Sequence, residues 1–403
     1  MPGGNLLIGQ SGGPTPVINA SLAGVLNEAK KMPEIEKIYG LKNGIEGALK
    51  KEVYDLNQEP EDLVNQLPYT PASVLGSCRH KLTKDGEYEQ LLELFKTNNI
   101  RYFVYIGGND SMDTCHKISK LAQQKKYDMQ VIGIPKTIDN DLPVTDHCPG
   151  FGSAARFIAL STVESGRDLE SMKTFDDVAI FEIMGRNAGW LTAASALGKR
   201  CEKDAPHLIY LPEVTFNEDK FLEDVKAVHD KLGYVYVALS EGIRDKNGEF
   251  IGAKDAAVDA FGHKAISLSD GPGAYLTKLI IDKTGLKARC NRPGTIQRAL
   301  SSLASPVDVQ EAFQAGAAAV KYFAEGISDV MVTLERGAGS GYVVNIGKTA
   351  LENAANVEKF MPGCFINEEG NFVTPAFYDY CLPLLGEAIP GYARLVHEHV
   401  ILK

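Results

Sequence analysis

Three short stretches of this sequence hold the residue types that phosphate chemistry needs. In Pro135-Lys136-Thr137-Ile138-Asp139-Asn140-Asp141, a lysine, a hydroxyl and two carboxylates two residues apart offer a phosphate clamp, a general base and a metal contact. A solvated acidic turn would use the same residues, but the stretch closes an apolar run at 131–134, where such a turn is out of place. In Gly107-Gly108-Asn109-Asp110-Ser111, two glycines let a phosphate approach the backbone, and Asn109 and Asp110 carry the oxygen ligands that Mg²⁺ prefers. A capped helix start, with Asp110 or Ser111 as the cap, is the competing reading. In Gly9-Gln10-Ser11-Gly12-Gly13-Pro14, bare backbone N–H groups ahead of a helix can receive phosphate, and a plain tight turn accounts for the same residues.

Candidates for an anionic sugar pocket lie downstream. Met184-Gly185-Arg186 ends an apolar run, and an arginine there can fork onto a phosphate. Ser240-Glu241-Gly242 ends another, where a carboxylate can accept hydrogen bonds from sugar hydroxyls. Arg289 and Arg298 flank Pro293-Gly294-Thr295-Ile296-Gln297. Taken singly, each of these is as readily a surface ion pair; their shared place after apolar runs is what groups them. Gly347-Lys348-Thr349 is set aside, because a P-loop needs glycine at 342, which is Tyr342.

Such residues need a scaffold that gathers the ends of several apolar runs. Runs at 6–10, 102–106, 131–134, 178–183 and 234–239 alternate with helix-patterned stretches at 17–31, 88–95, 112–122, 151–165 and 221–231. Short apolar runs ending in Gly or Pro and separated by helices predict an α/β fold with doubly wound parallel sheets. In such sheets ligands bind at the carboxyl ends of the strands. Residues 240–254 read as a charged turn, 307–323 as one helix started by Pro306, 351–360 as helix and 362–375 as loop. The expected division is a phosphoryl-donor domain at 1–143 joined by part of the C-terminal half, a sugar domain at 144–345 and a C-terminal helical extension at 346–403.

Composition narrows the classes of function. The chain of 403 residues is 44% hydrophobic and 23% charged, which fits folded domains rather than disorder. No apolar run is long enough for a membrane span. The opening MPGGNLLIGQSGG has no basic and apolar leader pattern, so a cytoplasmic location is expected. The formal net charge is −10 with no basic stripe, which argues against nucleic acid. Seven scattered cysteines without a CxxC suit reduced thiols better than disulfides or zinc.

With SGG, GGNDS, PKTIDND, MGR, SEG and GTIQR in this order, roughly residues 5–345 resemble the phosphofructokinase family. The resemblance implies two α/β domains, Mg²⁺ and phosphoryl transfer to O1 of fructose 6-phosphate. It makes Asp139 the base that takes the O1 proton, sets Thr137 against the transferring phosphoryl, and has Arg79 of Gly76-Ser77-Cys78-Arg79 steady its charge. Ile138, Met184, Gly185, Arg186, Glu241, Arg289, Thr295 and Arg298 would hold fructose 6-phosphate, with Arg289 reaching across the interface of a homodimer or homotetramer. Gly12, Gly13 and Ser111 would cradle the donor.

The donor itself turns on two residues. ATP-using members resemble GGDGS and PGTIDND, whereas Asp110 and Lys136 stand here in place of a glycine in each, as in the pyrophosphate-dependent branch. A carboxylate where a nucleotide's inner phosphate would lie costs about 4 kcal/mol at about 4 Å and an effective dielectric near 20, roughly a thousandfold against ATP. Lys136 adds the compact charge that a short donor needs. Asn109 replaces an aspartate that most relatives associate with Mg²⁺, which leaves its amide oxygen as the candidate ligand, with Asp141 or Asp110 beside it. Thr295 replaces a histidine of the bacterial ATP enzymes, and Asp177 falls about where they carry another arginine. Ala23 and Asn27 take the places of their effector arginines, so their nucleotide allostery is not expected. The implied activity is reversible transfer from pyrophosphate. The competing readings are ATP-dependent transfer, which Asp110 and Lys136 oppose, and a catalytically silent sugar-phosphate-binding subunit, which Asn109 favours and the retained Asp139, Thr137, Lys136, Arg79 and Arg186 oppose.

Overall fold

Sequence runs with no polar face to offer solvent form interior strands, and helices cover them on both sides. The computed structural model describes residues 3–83, 86–252, 271–339, 341–396 and 401–402. Among them lie strands β1 (Gly4–Gln10), β2 (Ile35–Leu41), β3 (Val53–Asp55), β4 (Ile100–Gly107), β5 (Gln130–Pro135), β6 (Val178–Ile183), β7 (Leu208–Tyr210), β8 (Val235–Ser240), β9 (Ala288–Asn291), β10 (Val330–Arg336) and β11 (Val344–Ala350). The larger sheet runs β11-β10-β5-β4-β1-β2-β3, parallel except for the antiparallel pairs at its two edges. The smaller runs β7-β8-β6-β9 and is parallel throughout.

Alternate residues of the central strands serve opposite cores. Leu6, Ile8, Val104 and Ile132 face a cluster that includes Leu22, Val25, Ala319 and Phe323, while Leu7, Phe103, Tyr105 and Val131 face Leu91, Phe95, Met112 and Ile118. Helices Ile18–Ala29 and Pro306–Ala324 cross on the first face at a distance only small residues allow. A Cβ on Gly24 would lie 2.0 Å from the Phe313 carbonyl oxygen, and one on Gly316 2.0 Å from that of Ser21.

Pro306 fills the first helical position and Ser305 Oγ accepts the Asp308 N–H at 3.4 Å, the start that the sequence predicts. The buried Asp308 carboxylate in turn accepts the N–H groups of Gly150 and Ser153, each at 2.9 Å. It thereby satisfies orphan donors at the start of helix Phe151–Ser171, which leads from the loop after β5 toward the smaller sheet.

Two expectations are corrected. Helix Pro306–Ala324 and strands β10 and β11 join the larger sheet, so the boundary at 345 gives way to a unit built from both ends of residues 1–350, with the smaller sheet between. Residues 351–360 hold one 3₁₀ turn, Leu351–Asn353, in place of a helix, because the backbone beyond it is drawn toward the loop after β5. Residues 253–254 of the expected charged turn, and 397–400 and 403 of the extension, lie outside the described residues. Among the described residues no helix is long and apolar enough to cross a membrane. All seven cysteines are free thiols.

Candidate active site

Parallel strands aim their carboxyl ends the same way, and here the loops of both sheets meet around a cleft of about 230 Å³. The larger sheet supplies Gly13, Arg79, Lys136, Thr137, Ile138 and Asp139, with Asp141 beside them. From the smaller come Met184, Arg186, Glu241 and Arg298. Residues as far apart in sequence as Gly13 and Glu358 thus line one space.

The loop after β5 is tied at each step. Lys136 N donates to the Gly107 carbonyl at 3.0 Å and Thr137 N to that of Pro149 at 3.3 Å. Asp139 N then donates to Thr137 Oγ1 at 3.0 Å. Asn140 takes a left-handed φ of 55°, and the aspartates on either side of it both line the cleft. The glycine loop after β1 makes room for cations. Lys136 Nζ donates to the Gly13 carbonyl at 2.8 Å, and a Cβ on Gly13 would stand 2.5 Å from Arg298 Nη1. Gly12 is anchored by its N–H to the Cys78 carbonyl at 3.1 Å and by Ser77 Oγ donating to its own carbonyl at 2.6 Å, which carries Arg79 alongside.

The sugar-side loops interlock in the same manner. Ser240 Oγ donates to the Gly185 carbonyl at 2.6 Å, Met184 N to Gln297 Oε1 at 3.0 Å and Gly185 N to Glu241 Oε1 at 3.5 Å. Four cations (Arg79, Lys136, Arg186, Arg298) and four carboxylates (Asp139, Asp141, Glu241, Glu358) line the cleft together.

Burial dominates the electrostatics. It pushes Asp139 up to about 7, helped by the charges of Asp141 and Glu241 and opposed by Lys136 and Arg186. It brings Lys136 down to about 8, with Asp141 and Asp139 pulling the other way. Asp141 and Glu241 are raised and Arg298 lowered, burial again coming first. A base must be ionised and a phosphate clamp protonated, so kcat/KM should be greatest between about pH 7 and 8 and fall about tenfold per unit below that window. Lys136→Arg should shift only the alkaline limb, upward; an acid limb near pH 4 would show that Asp139 is not the group being titrated.

Several expected residues stand apart. Asp110 does not line the cleft: its carboxylate, about half exposed, pairs with Lys81 Nζ at 3.2 Å. Lys81 and solvent both weaken the repulsion foreseen against a nucleotide. Asn109 Oδ1 accepts the Asp110 N–H at 2.8 Å, and Ser111 packs beneath Gly107. Arg289 pairs with Asp168 at 2.7 Å and Asp176 at 3.0 Å, away from the cleft of its own chain. Thr295 stands at the position before the short helix Ile296–Ala299 without a side-chain capping bond, also outside the cleft. Conversely, the cleft holds Asn187 and Glu358, which the sequence reading passed over. Asn187 Nδ2 donates to Glu358 Oε1 at 2.9 Å and its Oδ1 accepts from Arg244 at 2.8 Å. Asn187 follows Met184-Gly185-Arg186 directly and could have been suspected; nothing around residue 358 signals that it arrives here.

Known proteins share this arrangement. The family model described as Phosphofructokinase matches residues 5–323. The chain is 41% identical over 398 residues to the pyrophosphate–fructose 6-phosphate 1-phosphotransferase of Xanthomonas campestris pv. campestris, covering 97% of this chain and 94% of that protein. To the protein of the same name from Rhodospirillum rubrum it is 42% identical over 402 residues, with 98% of each covered. A crystal structure of pyrophosphate-dependent phosphofructokinase from Nitrosospira multiformis matches it with a TM-score of 0.87 at 41% identity, over 96% of this chain and 94% of that one. Since the family model takes in most of both sheets and nearly all the cleft residues, and these relatives extend along almost the whole chain, the chain belongs to the phosphofructokinase family.

Proposed function

We infer that the enzyme moves a phosphoryl group from pyrophosphate to O1 of fructose 6-phosphate, reversibly, giving fructose 1,6-bisphosphate and phosphate. Asp139 carries the reading: its Oδ1 is buried with no hydrogen-bond partner among the described residues, an unspent proton acceptor between the cations of the two sheets. The names and near-complete coverage of the relatives support the donor and the acceptor.

Phosphoryl transfer asks for positioning and charge neutralisation rather than covalent help. Arg186, Arg298, Met184 and Glu241 hold the sugar phosphate, so that the O1 hydroxyl meets Asp139. As the bond from O1 to phosphorus forms, the O1 proton passes to the Asp139 carboxylate and the bond to the leaving phosphate oxygen breaks. Lys136 and Arg79 take up the charge left on that phosphate, and Thr137 contacts the group in transit. In the reverse direction protonated Asp139 returns the proton to O1.

The cleft's own charges cancel, so two phosphate substrates must bring or find further cations. The donor set fits Mg²⁺: Asp139 Oδ1 is orphaned, Asp141 is an oxygen donor whose ionisation burial opposes, and no cluster of three metal-binding side chains exists among the described residues. That is the chemistry of an ion carried in by phosphates and one or two side chains, not of an all-protein cage. Asp141 would hold it from the cleft, whereas Asn109 lies outside the cleft with its Oδ1 on the Asp110 N–H and would reach it only by turning; when bound the ion would neutralise phosphate oxygens. Arg289 would join the sugar site from a neighbouring copy, in a homodimer or homotetramer. The seven free thiols suit a cytoplasmic enzyme.

The deciding experiment measures fructose 1,6-bisphosphate formed from fructose 6-phosphate and Mg²⁺ with pyrophosphate or ATP supplied separately at equal concentration. Product is expected with pyrophosphate only. Product with ATP only would overturn the donor, and none with either would leave a sugar-phosphate-binding subunit.

A further inference from the structure

We propose that Tyr380 is a positioning residue for the base: its hydroxyl locks Asn140 and thereby sets the direction of Asp139. The inference rests on the reading of Asp139 as the proton acceptor. Tyr380 lies 240 residues from Asn140 and beyond residues 5–323, which the family model matches.

Asn140 separates the two cleft aspartates, is fully buried and holds a left-handed φ of 55°, which asparagine tolerates better than most side chains. Both ends of its side chain are constrained. Nδ2 donates to the Tyr380 hydroxyl oxygen at 2.8 Å, and Oδ1 accepts the Cys148 N–H at 3.0 Å. The Tyr380 hydroxyl donates in turn to the Asp146 carbonyl at 2.9 Å, so one oxygen spans the two ends of the turn that follows the base.

The tyrosine is itself fixed. Its ring packs 5.3 Å from Trp190 and 5.5 Å from Phe365, and the Arg336 guanidinium lies 4.8 Å above it. Arg336 also donates to the Tyr380 carbonyl at 2.9 Å and pairs with Asp146 at 3.1 Å. A second C-terminal residue braces the same turn: Lys359 N donates to the Asp141 carbonyl at 2.7 Å, and Lys359 Nζ to the carbonyls of Thr145 and Asp146 at 3.1 and 2.9 Å. Tyr380 does not line the cleft, so it acts on the reaction through Asn140 and not by touching substrate.

Tyr380→Phe keeps the ring and deletes the hydroxyl. A base displaced by a fraction of an ångström to an ångström should lower kcat for the pyrophosphate reaction about 10- to 100-fold, with both KM values within about twofold. Asn140→Ala breaks the same bond from the other side and must show the same split, even if Tyr380→Phe proves too unstable to assay. The double variant should lose clearly less than the product of the two single losses, because both remove the Asn140–Tyr380 bond, while Asn140→Ala alone also removes the Cys148 bond and Tyr380→Phe alone the Asp146 bond. Parental kcat in Tyr380→Phe, a change confined to KM, or losses that multiply in the double variant would each overturn the proposal. Asp139→Asn assayed alongside separates the two readings: if it is active the base assignment fails, and if it is dead while Tyr380→Phe is fully active only the positioning role fails.

Discussion

Asp139→Asn is expected to lower kcat roughly 10²- to 10⁴-fold while the KM for fructose 6-phosphate changes by less than about threefold. The amide matches the carboxylate in shape but cannot accept the O1 proton, so the loss falls on the transition state, where about 3–5 kcal/mol is forfeited. Near-parental turnover would sink the assignment. The same substitution should stabilise the fold, with a sign fixed by pH. Burial raises Asp139 from the ordinary carboxylate value to about 7. The unfolded chain therefore ionises first, and the penalty on the folded state starts above the ordinary value, grows up to pH 7 and stays constant beyond. Melting curves should place Asp139→Asn above the parent at pH 8 and bring the two together near pH 4. Activity and stability thus pull against each other at one residue.

Replacing Lys136 and Asp110 together by glycine should cut kcat/KM for pyrophosphate by roughly 10²- to 10³-fold and relax the exclusion of ATP. The two positions should not contribute equally. Lys136 is buried and pinned against the glycine loop by its bond to the Gly13 carbonyl, where a short donor meets it undiluted by solvent. Asp110 is half exposed and already paired with Lys81. Lys136→Gly alone should therefore account for most of the loss with pyrophosphate, and Asp110→Gly alone for little. Initial rates with each donor across the three variants test this; a donor preference unchanged in the double variant would place selectivity elsewhere.

The residues that the sequence reveals and those it hides differ for physical reasons. Strands β1, β4, β5, β6 and β8 are covered on both faces, so their apolar runs are unbroken and their ends can be found. Strands β3 and β9 are three and four residues long and lie at sheet edges, and β11 is an edge strand only partly buried; none carries a run to detect. The loop after β5 is legible because base, lysine and hydroxyl crowd into seven residues. The part of Asp110 is not, since residue type is visible in a sequence but the turn of its carboxylate toward Lys81 is a tertiary fact. Glu358 and Tyr380 carry no local pattern at all; only the folded chain brings them to the cleft and to Asn140.

The entry of β10 into the larger sheet next to β5 has a consequence for how the protein is made. Val330 pairs with Ile132, so the ribosome must add the whole smaller sheet between the two partners, roughly 10–40 s at about 5–20 residues per second. For that interval β5 is an open parallel edge, the kind of surface that recruits wrong partners or a chaperone. The nascent chain also carries its base long before Tyr380 and Lys359 emerge to brace it. Copies whose tail is still in the exit tunnel should therefore turn over slowly, which limits the pyrophosphate that half-made chains can spend.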